Sequence, residues 1–324
     1  MSPLVFVKLL AIFAVVAIGW AAAKSRRLGA AEGSRVLSAA AFYIFIPALL
    51  FRTTARIDFE RLDPRVVLAF FVPTLALVAI VYVALRLAAR PGDGAAEPSV
   101  RAITASFGNT VQIGIPLAAA LFGEAGLALH LTVVGLHALT LLTVLTALVE
   151  LDLARARPGT GNTAARLRRT LATTAKNTVI HPVVLPVLVG LAWNASGAAL
   201  PGLVDETLAT LGQAVVPVCL VLIGVSLAHH GLRGALGTAA LLSAVKLLVH
   251  PLAVLVFARW GLGLDGLALA IVVMLAAMPV GSNALIFAQR YDTLAAETST
   301  AIVVSTLAFV LTAPLWLALL HVGG

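Results

Sequence analysis

The sequence predicts an all-α polytopic membrane protein, and three observations predict it. Hydrophobic residues make up 61 % of the 324 residues and charged residues only 11 %, whereas soluble domains are about 45–50 % apolar and about 25 % charged. Mean hydropathy is +1.05. A soluble protein with so few charges could not cover its own surface. Soluble enzymes, secreted disulfide scaffolds and disordered proteins are therefore excluded, and the lipid bilayer is the predicted solvent.

The third observation is a series of apolar runs, each about as long as the roughly 20 residues that a helix needs to cross the hydrocarbon core. Charged residues or glycine and proline bound each run. The first run contains Lys8 and has no basic leader or small-residue cleavage site before Lys24, so we expect a retained helix. The ten predicted spans cover about 3–24, 36–55, 65–89, 100–122, 126–149, 178–197, 203–228, 236–259, 265–289 and 294–320.

The basic residues predict how these spans are oriented. Loops after the odd-numbered spans carry fifteen Lys and Arg residues, and the opposite loops carry only five. Because cytoplasmic loops are the richer in these residues, we expect a cell (inner) membrane protein with both termini outside, in the periplasm. The same asymmetry explains the net charge of +8 without a nucleic-acid partner. Cys219 is the only cysteine, so no intrachain disulfide or cysteine metal cluster can form.

An inverted repeat is predicted from the chain's symmetry. A basic cytoplasmic linker at 154–177 separates a first five-helix repeat (1–153) from a second (178–324), and an odd number of spans would place the second upside down. His130 and His137 on span 5 and Thr298 and Ser305 on span 10 stand seven residues apart, related by a shift of 168. Seven residues make about two turns, so each pair lines one face. Alternatively, the hydroxyl residues only let helices pack closely.

Span 4 contains a group of polar and helix-breaking residues near its middle: Asn109, Gln112, Gly114 and Pro116. A proline removes an amide donor and clashes with the preceding turn. We therefore expect this helix to break near mid-membrane, where non-helical backbone persists only within protein or beside a cavity.

Span 9 contains the matching residues Pro279, Ser282 and Asn283. Each break would expose a new helix N-terminus with about half a positive charge and unpaired N–H groups, which suit an anion. In an inverted pair the two ends would meet, beside the carboxamides and hydroxyls. The pattern predicts a neutral, hydrogen-bonding anion site. The alternative is that the carboxamides merely satisfy backbone groups freed by the kinks.

Lys246 is a cation inside span 8, and His250 lies four residues later on the same face. An intramembrane cation costs about 2.5–3.5 kcal/mol on insertion scales and is by default a functional hypothesis. The pair could balance a bound carboxylate or relay a proton; alternatively, the lysine snorkels to the interface. All fourteen Asp and Glu residues fall in loops or at span ends, which predicts that no carboxylate is buried and disfavours a cation antiporter.

At these positions the chain resembles the auxin efflux carrier family, which includes plant auxin exporters and bacterial malate or malonate permeases. The likeness covers the whole chain and rests mainly on three segments: Asn109-Thr-Val-Gln-Ile-Gly-Ile-Pro116, Lys246-Leu-Leu-Val-His-Pro251 and Ala277-Met-Pro-Val-Gly-Ser-Asn-Ala-Leu-Ile-Phe-Ala288. The resemblance implies a bile-acid-transporter-like (NhaA-like) fold in which spans 4 and 9 cross at Pro116 and Pro279. Spans 1, 2, 6 and 7 would form a scaffold that can form a homodimer, and the other spans a moving domain. The long cytoplasmic loop of the plant members is missing, which favours the bacterial permease branch.

The predicted function is therefore a secondary active transporter rather than an enzyme. It would move a small organic anion, a mono- or dicarboxylate such as malate or malonate or an auxin-like acid, by elevator-type alternating access. A cation/proton antiporter of the same fold and a membrane-embedded enzyme are the alternatives. No cofactor or metal is predicted, although H⁺ or Na⁺ coupling is possible. The predicted substrate-binding residues are Asn109, Gln112, Gly114, Pro116, Pro279, Ser282, Asn283, His137 and Ser305, and those for charge or proton coupling are Lys246 and His250.

Overall fold

The chain is helical wherever its structure is described. A computed structural model describes residues 3–25, 31–56, 63–90, 92–156, 184–229 and 235–321, with short pieces between 168 and 182. Apart from turns and one isolated β-bridge, these residues form helices, so the all-α prediction is confirmed. Most of the predicted linker 154–177 lies outside the described residues, and the predicted division into two repeats at that linker stays a prediction.

The helix bounds follow the predicted spans closely, although several spans consist of two or more pieces. In chain order the described α-helices are α1 (Pro3–Lys24), α2 (Ala31–Ala40), α3 (Ile46–Thr54), α4 (Arg65–Ala88), α5 (Glu97–Ser106), α6 (Gly114–Ala156, kinked at Gly123), α7 (Val184–Ala195), α8 (Gly202–Gln213), α9 (Val215–His229), α10 (Leu236–Ala244), α11 (His250–Val256), α12 (Gly266–Ala276), α13 (Ser282–Arg290) and α14 (Ala295–Leu319). Two π turns, at Ala41–Phe45 and Val245–Val249, join consecutive pieces, and a third, Phe257–Gly261, follows α11 and ends that span.

Seven stretches of the described residues are long and apolar enough to cross a membrane by themselves. They are Phe6–Lys24, Arg35–Thr54, Arg65–Ala88, Gly114–Leu153, Gly202–Ala228, Leu236–Gly261 and Ala295–Leu319. The chain is therefore a multi-pass membrane protein, as predicted. The count of ten spans stays a prediction, because the apolar helices α7 and α12 have only 12 and 11 residues, shorter than a full crossing.

Two of the π turns accommodate a proline. Pro47 follows the turn Ala41–Phe45, and Pro251 follows the turn Val245–Val249. In each case the amide of the residue just before the proline donates a hydrogen bond to the carbonyl five residues earlier. The amide of His250, for example, donates to the carbonyl of Val245. Proline has no N–H and its ring clashes with the carbonyl four residues earlier, so the wider turn relieves the clash. The second of these π turns contains Lys246 and sets its direction.

Glycines interlock the helices of the first, second, sixth and seventh predicted spans. A Cβ built on Gly224 of α9 would lie 2.0 Å from the carbonyl oxygen of Val16 in α1, and Gly19 of α1 lies equally tight against the α9 backbone. Gly190 of α7 packs in the same way on Thr54 of α3. Small residues let membrane helices approach this closely. Span 1 thus pairs with span 7 and span 6 with span 2, which is the equivalence that an inverted repeat requires.

Two carboxylates are buried, and the expectation of no buried carboxylate is wrong for them. The side chain of Asp152, near the end of α6, is fully buried and accepts hydrogen bonds from Tyr82 and Arg86. Glu297, in the first turn of α14, is 7 % exposed and pairs with Arg101 at 2.9 Å. Both lie at span ends, as the sequence indicates, and the arginines neutralise them. The sequence does not reveal the burial of these two side chains, because neighbouring helices that pack around the span ends produce it.

Candidate functional site

The fourth and ninth spans break and cross each other where their unwound segments run antiparallel. The amide of Asn109 donates to the carbonyl of Pro279 at 2.7 Å, and the amide of Gly281 donates to the carbonyl of Phe107 at 2.9 Å. A Cβ built on Gly281 would lie 2.8 Å from the carbonyl oxygen of Gly108, so the crossing needs glycine there. The predicted breaks and crossing of these two spans are therefore observed.

Pro116 does not lie at the crossing, and the prediction that it does is wrong. The bridge pairs Gly108 with Val280, eight residues before Pro116. Because α6 begins at Gly114, the proline falls in its first turn, where an amide has no intrahelical acceptor and proline is tolerated. Gly114 instead makes room for His130, since a Cβ there would lie 2.7 Å from that ring.

Asn109 caps the turn that leads into α6. Its Oδ1 accepts a hydrogen bond from the amide of Gln112 at 3.1 Å, and its Nδ2 donates to the Gln112 Oε1 at 3.1 Å. Asparagine three residues before such an amide is a favourable N-cap. The structure thus brings these two predicted residues together and supports the alternative that they satisfy backbone groups. One N–H of the Asn109 amide remains for a ligand, because a carboxamide carries two.

The first turn of α13 presents unengaged donors. Its N-cap is Gly281, which has extended backbone and no side-chain cap. Among the described residues, the side chains of Ser282 and Asn283 have no hydrogen-bond partner, and Ser282 is exposed whereas Asn283 is half-buried. The positive end of the helix dipole lies at the same place. Of the two breaks, the second one therefore leaves more hydrogen-bonding capacity for an anion.

Two small cavities lie beside the crossing, and both contact the same three side chains. Cavity A has a volume of about 40 Å³ and cavity B about 50 Å³. Asn109, Gln112 and Ser282 line both cavities. The other polar residues are Thr110, His137 and Asn283 in cavity A, and Ser226 and Thr306 in cavity B. Within the part of the chain that the structure describes, no Lys, Arg, Asp or Glu lines either cavity, and the polar groups there are neutral amides, hydroxyls and one imidazole.

The predicted polar faces of spans 5 and 10 support the two breaks. His130 donates from Nε2 to the carbonyl of Thr110 at 2.7 Å, and His137 lies 3.5 Å from the Thr110 hydroxyl. On the other repeat, Ser305 accepts a hydrogen bond from the amide of Val280 at 3.0 Å. His137 lines cavity A, whereas Ser305 is buried behind the crossing and holds its backbone. Each face thus steadies the broken helix of its own repeat.

Lys246 and His250 lie behind the crossing and outside both cavities. Lys246 is fully buried and its Nζ donates to the carbonyl of Ala276 at 2.5 Å. His250 bonds through Nε2 to the Thr74 hydroxyl at 2.8 Å, and that hydroxyl donates its own proton to Phe70. Lys246 therefore does not snorkel, and no hydrogen bond joins it to His250 among the described residues. Their predicted role in charge or proton coupling stays a prediction.

Sequence reasoning missed several residues that the crossing places at the cavities. Gly108 carries the bridge, Thr110 lines cavity A, and Thr306 lines cavity B one residue after Ser305. The signal for Gly108 was available, because a glycine directly before a capping asparagine permits close backbone approach. Phe42, which also lines cavity A, comes from another span and has no local signal.

Crossed half-helices in a multi-pass apolar bundle are typical of transporters with discontinuous helices. The chain belongs to the membrane transport protein family, which it matches over residues 4–317. This match confirms the resemblance to the auxin efflux carriers. The chain is therefore a membrane transporter by family.

Two curated relatives resemble nearly the whole chain. One, from Methanothermobacter thermautotrophicus, is named "Uncharacterized transporter" and is 26 % identical over 289 residues, 88 % of either chain. The other, from Rhizobium meliloti, is named "Putative malonate transporter" and is 24 % identical over 281 residues, 87 % of this chain and 85 % of its own. Both names agree with transport rather than enzymatic activity.

Proposed function

We propose that this protein is a secondary carrier for a small organic anion, bound at the crossing of the two broken helices. The observation that carries the proposal is the set of neutral donors at the crossing. Asn109, Gln112 and Ser282 line both cavities, and Asn283 adds a half-buried amide without a partner among the described residues. A carboxylate accepts hydrogen bonds only, so donors without acidic neighbours favour it.

Elevator-type movement accounts for the two cavities. The scaffold comprises α1–α3 and α7–α9, and the moving body comprises α4–α6 and α10–α14. Phe42 of the scaffold lines cavity A, and Ile223, Ser226 and Leu227 of the scaffold line cavity B. Sliding the moving body would widen one cavity while the other stays shut. Each cavity now has room for about three or four water molecules, since about 10–15 Å³ on this measure suffices for one. Malonate has seven non-hydrogen atoms, so a substrate of this class requires the widening.

An apolar cavity of about 390 Å³ adjoins cavity B. It favours a second class of substrate besides the dicarboxylates, namely acids with an apolar body. It lies between α1, α9 and α14, and it shares Ile223, Leu227, Val303 and Thr306 with cavity B. A monocarboxylate with an aromatic or alkyl body could place its charge at the amides and its body here. A dicarboxylate such as malonate would leave this cavity unused.

The orientation and assembly are proposed with the function. The excess of basic residues in the odd-numbered loops supports an inner-membrane protein with both termini in the periplasm. Alkaline phosphatase fused to the C-terminus should be active, and a cytoplasmic fluorescent protein fused there should stay dark; the reverse pattern would refute the orientation. A homodimer through the scaffold is expected on family resemblance, and the mass of the purified protein in nanodiscs tests it.

Counterflow in proteoliposomes tests the function. Liposomes loaded with unlabelled malonate, malate, benzoate or indole acetate are assayed for uptake of the same labelled acid. We expect exchange of at least one acid by the wild type and a loss of tenfold or more in Asn283→Ala. Gln289→Ala is the matched control, since it removes an exposed carboxamide at the far end of α13. Exchange of no acid, or equal rates in both variants, would contradict the proposal.

A further inference from the structure

Lys246 is a fully buried basic residue inside the eighth predicted span. Its side chain is 0 % exposed, and its Nζ donates to the carbonyl oxygen of Ala276. A Cβ built on Gly108 would lie 3.3 Å from the same Nζ, so the ammonium also lies directly against the Gly108 backbone. None of the ion pairs found among the described residues includes Lys246. Its charge is therefore balanced by backbone rather than by a carboxylate.

The carbonyl that accepts this hydrogen bond belongs to the C-terminal, negative end of α12, and Gly108 lies just beyond the end of α5. Ala276 is the last residue of α12, and Gly108 follows the last residue of α5 by two positions. The final carbonyls of a helix lack intrahelical donors, and they carry about half a negative charge in total. The Ala276 carbonyl accepts the ammonium's hydrogen bond directly, and Gly108 places the backbone just beyond α5 in contact with the same group.

We propose that the ammonium of Lys246 is a resident cation that takes the place of a mobile coupling ion. In carriers with broken helices, unwound carbonyls and half-helix C-terminal ends coordinate the transported Na⁺ or H⁺. Here that position is filled by a side chain of the protein. The anion would thus move without sodium, in a moving body whose cation is covalently attached. This inference rests on the proposed carrier function for its meaning, although its test does not need a substrate.

The π turn Val245–Val249 is a second observation that fits this role. It widens the helix by one residue just where Lys246 leaves the backbone, and such π turns occur frequently at functional sites. His250 lies next along the helix but is held by the Thr74 hydroxyl. Among the described residues, the hydrogen bond of the Lys246 ammonium is therefore to the Ala276 carbonyl.

Shortening the lysine tests the inference directly. Lys246→Ala should remove the charge and open a space beside the Ala276 carbonyl and Gly108, whereas Lys246→Met removes the charge but keeps the space filled. Thermal unfolding of each purified protein is followed in choline chloride, sodium chloride and methylammonium chloride at equal ionic strength. We expect sodium or methylammonium to raise the apparent Tm of the alanine variant by about 2–4 °C at ten times the dissociation constant, with saturation. The wild type and Lys246→Met should not distinguish the three salts.

Three results would overturn the inference. They are an alanine variant that responds no more than Lys246→Met, a wild type that sodium stabilises, and wild-type exchange that sodium accelerates. If Lys246→Ala unfolds in choline, it is purified in methylammonium from the start. Recovery only in that salt supports the inference, and failure in every salt while Lys246→Met folds contradicts it. Because unfolding is measured without substrate, its result stands even if the counterflow assay shows no exchange of any acid. Failure of this inference and failure of the proposed function can therefore be told apart.

Discussion

Replacing Gly281 with alanine should separate the two crossed segments. The new Cβ would lie 2.8 Å from the carbonyl oxygen and 3.0 Å from the carbonyl carbon of Gly108, whereas ordinary contacts begin at 3.4 Å. Backbone cannot rotate away as a side chain can, so the segments must part by about half an ångström. The hydrogen bonds from Asn109 to Pro279 and from Gly281 to Phe107 flank this point.

The magnitude follows from those two bonds. Each contributes about 0.5–1.5 kcal/mol net, so weakening both costs about 1–3 kcal/mol, the same range as overpacking a core. This corresponds to a fall in apparent Tm of roughly 3–10 °C. Exchange should fall at least tenfold, because a loss of about 1.4 kcal/mol in substrate-binding free energy lowers the affinity tenfold.

Size-exclusion thermostability in detergent and carboxylate counterflow measure the two effects. Gly237→Ala is the matched control: it lies near the start of α10, and a Cβ there meets open space. The control should keep wild-type Tm and exchange. A Gly281→Ala protein with wild-type exchange would refute the reasoning, since the crossing would then not position the donors.

Three other changes test the packing around the site. Gly224→Ala places a Cβ 2.0 Å from the Val16 carbonyl oxygen and should lower apparent Tm by several degrees while leaving malonate affinity in scintillation proximity binding unaltered; unchanged Tm would contradict the interlocked scaffold. Ser305→Ala leaves the buried amide of Val280 without its acceptor, which should cost about 1–3 kcal/mol, and Ser305→Thr should recover part of the loss; equal Tm in alanine variant and wild type would count against this role. Asp152→Asn should cost about 1–2 kcal/mol, below the roughly 3–5 kcal/mol of a fully buried pair, because its arginine partner is 39 % exposed; an unfolding midpoint above that of the wild type would contradict it.

The sequence predicts the fold well because a membrane imposes simple constraints. The lengths of the apolar runs and their charged boundaries predict the bounds of both α1 and α4 to within one residue. This works because every spanning helix must satisfy its own backbone hydrogen bonds. The broken spans were also predictable, from the glycine, proline and carboxamide residues that they contain. The break itself was misplaced by several residues, because Pro116 is compatible with a first turn and Asn109 is a cap, and composition alone does not separate those roles.

Side-chain placement was predicted less well than the helices. Asn109, Gln112, Ser282, Asn283 and His137 do line the cavities, as an i, i+3 or sequential pattern allows. Local spacing does not reveal which side of a crossing a residue takes, which is decided by packing between distant spans. For that reason the sequence predicts Ser305 as a substrate-binding residue, although its side chain lies behind the crossing and lines neither cavity.

Exchange by Asn109→Asp tests the central claim most directly. Aspartate caps a helix as well as asparagine does, so the turn at Gln112 should persist and apparent Tm should stay within about 2 °C of wild type. The new carboxylate would face both cavities and repel an anion at close range. We predict that counterflow of the acid that the wild type exchanges falls at least tenfold in Asn109→Asp. Undiminished exchange by this stable variant would contradict the claim that an anion binds at the crossing.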